Sequence, residues 1–181
     1  MFCTMEKPYQ ILAISGSLRA ASTNTQILEK ISHWVPDTVS WQIYEELAQI
    51  PPFDPDYTEY PAAVEQFRTQ LLAADALVFC SPEYVFGVPG VLKNLLDWTS
   101  AFSSGEWHEK PTAVITASIL GEKAHESLRL TLGILGARIL ENTSLLISHA
   151  RTKMDKPETE ADLKSVLNAL LQELTEKPVL Q

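Results

Sequence analysis

Short apolar runs alternate along the chain with segments of helical period. Tyr9–Ser15 (YQILAIS) is rich in isoleucine and leucine, the pattern of a strand covered on both faces. Ile27, Leu28, Ile31 and Val35 then form a helical stripe. Val39–Tyr44 alternates apolar with polar positions, as a strand with one better-covered face does. After the turn-like PPFDPD, the pattern predicts a helix over Ala62–Ala73. Asp75–Cys80 (DALVFC) reads as a second buried strand. Pro89 stands where a first helical position belongs, followed by Val91, Leu92, Leu95, Trp98 and Phe102 on one face. Thr112–Ala117 is another strand, Leu128, Leu132 and Leu135 mark the helix after it, and Ile139–Ile147 holds the last strand. Leu163, Val166, Leu167, Leu170, Leu171 and Leu174 make the cleanest helical stripe in the chain.

Five strands thus alternate with five helices. Apolar strands at this spacing imply a parallel sheet with helices on both faces. Right-handed crossovers leave few topologies, and five strands suit the flavodoxin-like order 2-1-3-4-5. The expected architecture is a doubly wound α/β sandwich, one domain over residues 1–181.

Composition narrows the function classes. The chain has 181 residues, 45% of them apolar and 20% charged, an ordinary globular balance. Its net charge of −9 argues against nonspecific binding to nucleic acid or an anionic membrane. The acidity is regional: eight acids and only Arg68 fall between Asp37 and Asp75, whereas Tyr9–Leu28 holds Arg19 as its one charged residue. Two cysteines, Cys3 and Cys80, make no disulfide framework, and no run of about 18 apolar residues occurs. The amino-terminal ten residues lack the apolar stretch of a signal peptide. A soluble, cytoplasmic protein is expected.

In such sheets ligands bind beyond the carboxyl ends of the strands, beside the switch point. Three loops meet there: Gly16–Thr23, Ser81–Val88 and Ser118–Lys123. The first, SGSLRAASTN, offers a tight turn at Gly16, donors on Ser17, Ser22, Thr23 and Asn24, and the fixed charge of Arg19 ahead of a helix N-terminus. Thr23 with Gln26 reads as a capping box. This suits one phosphate group, although an ordinary strand-to-helix turn uses the same residue types. It is neither GxGxxG nor a Walker A loop. The second loop, SPEYVFGVPGVLKN, is stiffened by prolines and brings Glu83, Tyr84 and Phe86 beside the same place, where aromatics can hold a flat ring.

Taken together, the two loops resemble the NADPH-dependent FMN reductase family, which includes flavin, quinone, chromate and azo-dye reductases of flavodoxin-like fold. Its pattern GSLR-x-x-S-x-N matches Gly16, Ser17, Leu18, Arg19, Ser22 and Asn24. Its pattern SPEYN…PG-x-LKN…DW matches Ser81–Tyr84, Pro89, Gly90, Leu92, Lys93, Asn94, Asp97 and Trp98. The resemblance implies that Ser17, Arg19, Ser22, Thr23 and Asn24 hold the FMN phosphate. It implies that Pro82, Glu83, Tyr84 and Val85 border the isoalloxazine ring, with Ser118 and Gly121 approaching from the third loop. It further implies NADPH or NADH as co-substrate, a small-molecule electron acceptor, and a homodimer or homotetramer, with α-helical Trp98 and Phe102 facing either a partner subunit or their own sheet. No side-chain acid or base is required, since the chemistry resides on the flavin. Two positions depart from the pattern: Val85 replaces the usual asparagine, and the third loop reads SILGEKAH where the family is glycine-rich.

Two other readings stand beside the reductase. A flavodoxin-like electron carrier would suit the acidity, but carriers usually show a threonine-rich phosphate loop. A relative that has lost flavin and serves as a regulatory or scaffolding protein would suit Val85 and SILGEKAH. Cys80 is read as a core residue because no basic neighbour or second thiol supports a redox role. His33, His108, His125 and His149 lack metal-ligand spacing, so no metal is expected.

Overall fold

The computed structural model describes residues 8–175; Cys3 lies outside them. Five parallel strands form one sheet in the order β2-β1-β3-β4-β5: β1 (Tyr9–Ser15), β2 (Val39–Tyr44), β3 (Ala76–Ser81), β4 (Thr112–Ser118) and β5 (Ser144–Ser148). The helices are α1 (Thr23–Ser32), α2 (Ala62–Ala73), α3 (Gly90–Thr99), α4 (Glu122–Leu135), α5 (Ala150–Lys153) and α6 (Pro157–Thr175). The flavodoxin-like order expected from the sequence is the one observed.

The period of two along each central strand divides the core into two layers. Leu12, Ile14, Leu77, Phe79 and Val114 point to the side covered by α2, α3 and α4, where Phe67, Leu71, Leu92, Leu95, Leu128 and Leu132 pack. Ile11, Ala13, Val78, Cys80, Ile115 and Ala117 point to the other side, against Ile27 and Ile31 of α1 and Leu163, Leu167 and Leu170 of α6. Burial on both faces is why these strands read as continuous apolar runs rather than alternating ones.

The last strand and α3 depart from the sequence pattern. The last strand begins at Ser144, not Ile139, because Thr143 Oγ1 accepts from Leu140 N and donates to Thr112 O, drawing Glu141–Thr143 into a 3-10 turn. Pro89 is the N-cap of α3 rather than its first residue. The helix ends at Thr99, so Phe102 follows it. Trp98 is 2% exposed within its own chain, and its indole N–H donates to Pro51 O at 2.8 Å. Asn94 takes the same loop from both sides, accepting from Phe53 N and donating to Pro51 O. The LKN…DW motif therefore fastens the loop after β2 to α3 rather than presenting Trp98 to a partner. Trp107 is likewise buried, its ring stacked on Phe79 at 6.2 Å.

The ends of β1 and β3 come very close. A Cβ at Gly16 would run into Ser81 and lie 3.1 Å from Leu92 Cδ2, so a side chain there would push the first loop away from the sheet.

Candidate cofactor site

Beyond the carboxyl ends of β1, β3, β4 and β5 lies a cavity of about 380 Å³, within the size range of small-ligand sites. Its lining draws on the first loop (Ser17, Arg19, Ser22, Thr23, Asn24), the second (Pro82, Glu83, Tyr84), the end of β4 (Ala117, Ser118, Ile119) and the segment after β5 (His149–Thr152). Nine of the residues singled out in the sequence converge here, from three separate stretches of chain.

The first loop is held from below. Ser22, not Thr23, is the N-cap of α1, its Oγ accepting from Thr25 N at 3.4 Å. Thr25 Oγ1 in turn donates to Ser15 Oγ at 2.9 Å. Asn24 is only 3% exposed: it donates to Ala117 O of β4 and accepts from the Cys80 thiol of β3. Its side chain thus ties the start of α1 to two strands and is spent there. Burial pushes the Cys80 thiol well above the usual thiol range, which keeps it protonated and unreactive. What the loop leaves toward the cavity are hydroxyls, the amides of the first helical turn and the exposed Arg19.

The second loop is held by Glu83. Its backbone N–H donates to Ser118 Oγ at 3.2 Å, and its carboxylate accepts from Gly121 N at 3.2 Å and Ala124 N at 3.0 Å. The carboxylate therefore caps α4 from 38 positions upstream in sequence. It is needed because Gly121, the local N-cap residue, has no side chain to do so.

Val85 and Gly121 do not line the cavity, each for a physical reason. Tyr84 and Gly87 exchange both backbone hydrogen bonds at 3.0 Å around a two-residue turn, with Val85 at φ 51° and Phe86 at φ 57°. Val85 sits at the tip of that turn, 98% exposed. Gly121 is buried at φ 96°, and a Cβ there would meet Leu146 Cδ1 at 2.8 Å. Its position serves the helix start, not the cavity surface.

The sequence reading missed Ala117, Ile119 and His149–Thr152. The last group had a faint signal: a strand that ends in Ser-His and meets three basic residues within the next seven positions, Arg151, Lys153 and Lys156. His149 adopts φ 55°, its N–H donating to Ile119 O at 3.0 Å, and this turn brings the chain from β5 over the cavity.

Donor chemistry decides what fits. Hydroxyls and two guanidinium groups stand in the lining, and its only carboxylate among the described residues, that of Glu83, is occupied by two backbone donors. Pro82, Tyr84, Ala117, Ile119 and Ala150 give apolar wall. A flat ring carrying a phosphate matches this division; a bare metal ion or a cationic ligand does not.

The comparisons agree in kind. The family model described as NADPH-dependent FMN reductase matches residues 9–152. An NAD(P)H-dependent FMN reductase of Pseudomonas aeruginosa is 37% identical over 156 residues, covering 83% of this chain and 84% of that protein. A quinone reductase of Escherichia coli K12 is 29% identical over 177 residues, 94% of each chain. Among solved structures, the flavoenzyme NAD(P)H:(acceptor) oxidoreductase FerB of Paracoccus denitrificans superposes with a TM-score of 0.77 at 23% identity, over 92% of this chain and 97% of that one. That likeness supports the fold.

Proposed function

The chain belongs to the NADPH-dependent FMN reductase family, and from that premise we propose that it is an FMN-dependent oxidoreductase. It takes hydride from NADPH or NADH and passes electrons to a flavin, a quinone or a similar small acceptor. The observation that carries this reading is the cavity itself, where hydroxyls and guanidinium groups meet apolar side chains beyond the carboxyl ends of the strands. Bound FMN supplies the electron chemistry; everything else falls to the protein.

Ser17, Ser22 and Thr23, with the first amides of α1, bind the phosphate, and Arg19 neutralises its charge. Asn24 fixes that loop to β3 and β4 so that the donors are in place before the ligand arrives. Pro82, Tyr84 and Ile119 exclude water from the ring edge. Glu83 and Ser118 hold the second and third loops at a fixed separation. Ile119 and Leu120, 72% and 51% exposed, occupy the loop that is glycine-rich in the family and narrow the approach for the second substrate.

The exposed face of α4, with Ile134 90% and Leu130 66% exposed, supports self-association as a homodimer or homotetramer. Covered sheet faces and two continuous core layers support one domain across the chain. Among the described residues no helix is long and apolar enough to cross a membrane. The reduced, buried Cys80 and the composition favour a cytoplasmic setting.

One preparation tests the reading. The visible spectrum is recorded after FMN is added, and NADPH is then supplied without oxygen. Bleaching at a catalytic rate is the expected result. Bound flavin that NADPH leaves oxidised would favour an electron carrier, and no binding would leave a scaffolding protein. Arg19→Ala should weaken FMN binding about tenfold with the melting temperature unchanged, as measured by flavin fluorescence titration.

A further inference from the structure

Among the described residues there are five arginines, and their partners divide them sharply. Arg68 pairs with Glu106 at 2.7 Å and with Glu65, Arg129 with Glu141 at 2.8 Å, and Arg138 with Glu173. Arg19 and Arg151 have no carboxylate partner among the described residues, and both line the same cavity. In a chain with 23 acids and 14 bases, acidic partners are abundant, so two unmatched guanidinium groups in one cavity mark a place kept for an anion.

The fold explains how residues 132 positions apart come to share that place. Arg19 precedes α1 and Arg151 lies in α5, and both helices cover the sheet face where Ile27, Leu28 and Ala150 are buried together. Lys30 of α1 ties the two segments further, donating to Met154 O and Asp155 Oδ1. The bond from His149 N–H to Ile119 O sets the turn that delivers Arg151 to the cavity. Thr152, in the same lining, donates its hydroxyl to His149 O and so helps to hold this turn.

From this pattern we infer that Arg151 is a second phosphate-binding residue, completing with Arg19 a two-arginine clamp on the cofactor phosphate. The inference rests on the flavin reading above. A phosphate monoester near neutral pH carries between one and two negative charges, so one guanidinium, even with the neutral donors of the first loop, leaves room for a second cation. Arg151 supplies the balance from the segment after β5, which none of the recognised sequence motifs reaches.

Riboflavin, which lacks the phosphate, provides the control. Dissociation constants for FMN and riboflavin are measured by fluorescence quenching on the wild-type chain, Arg151→Gln and Arg151→Lys. Arg151→Gln should weaken FMN about tenfold and leave riboflavin unchanged, with Arg151→Lys between the two. Raising the salt concentration should weaken FMN more in the wild type than in Arg151→Gln. Equal loss for both ligands would make Arg151 a structural residue and overturn the clamp. Unchanged FMN affinity with a raised KM for NADPH relative to NADH would also overturn it, moving the arginine to the co-substrate's phosphate. Failure of the wild-type chain to bind FMN would strike the flavin reading itself, and it is seen before any variant is compared.

Discussion

At the scale of single residues, the structure replaces one chemical question with another. Position 85 is asparagine in the family pattern and valine here, which from sequence reads as a lost polar contact beside the ring. The structure puts the side chain in solvent and the backbone at φ 51°. A two-residue hairpin turn with both central residues at positive φ favours Asn-Gly, because asparagine tolerates the left-handed region and a β-branched residue does not. Left-handed backbone costs an ordinary residue about 1–2 kcal/mol, and Val85 bears that cost with no packing in return. Val85→Asn should therefore raise stability by about 1 kcal/mol, a gain of roughly 2–4 °C in melting temperature for a chain this size, with FMN affinity unchanged. Calorimetry and a flavin titration check both halves. Altered affinity at constant melting temperature would return position 85 to the cofactor site.

At the scale of elements, periodicity made most of the fold legible. β1, β2 and α2 have the bounds their patterns predict, because each is a clean run between polar or proline-rich turns. The end of the chain was less legible. Ile139 and Leu140 look like the apolar start of the last strand, but the side chain of Thr143 diverts the chain there, and no window of hydrophobicity registers one hydroxyl. The candidate site was half legible for a related reason. Loops with motif chemistry announce themselves, whereas His149–Thr152 reach the cavity through sheet order alone. Glu83 is the hinge between the two cases: its motif marks it as a site residue, and its contacts make it the cap of a distant helix. Glu83→Ala leaves Gly121 N and Ala124 N without their acceptor at the positive end of α4. It should cost about 2 kcal/mol, read as a lowered denaturant midpoint, and weaken FMN secondarily by freeing the second loop. Glu83→Gln keeps one acceptor oxygen and should lose less of both.

At the scale of the whole molecule, charge and protonation follow the sheet. The acidic stretch Asp37–Asp75 spans edge strand β2 and helix α2, while Arg19 and Arg151 gather at the cavity, so an acidic protein still presents a basic mouth to an anionic cofactor. The opposite edge carries a half-buried histidine. His125 of α4 lies between β4 and β5, Nδ1 paired with Thr116 Oγ1 at 2.9 Å and Nε2 with Ser144 Oγ at 3.0 Å. Burial, and then the charge of Arg129, push its pKa below the usual histidine value of 6.5, against a smaller opposing pull from Glu141. The native state therefore holds the ring neutral at a pH where the unfolded chain already binds a proton. More protons on the unfolded chain means that stability rises with pH. The contribution is complete above about pH 6.5 and is lost as the pH falls from there toward the lower native pKa. Falling pH also relieves the net negative charge, which acts in the other direction, so the two effects separate by mutation. Denaturant midpoints measured at half-unit steps from pH 7.5 to 5.5 should decline for the wild-type chain across this window. His125→Gln, which keeps one bridge between the strands but cannot titrate, should start lower and run flat or upward with acid. A decline of equal slope in the variant would place the responsible group elsewhere.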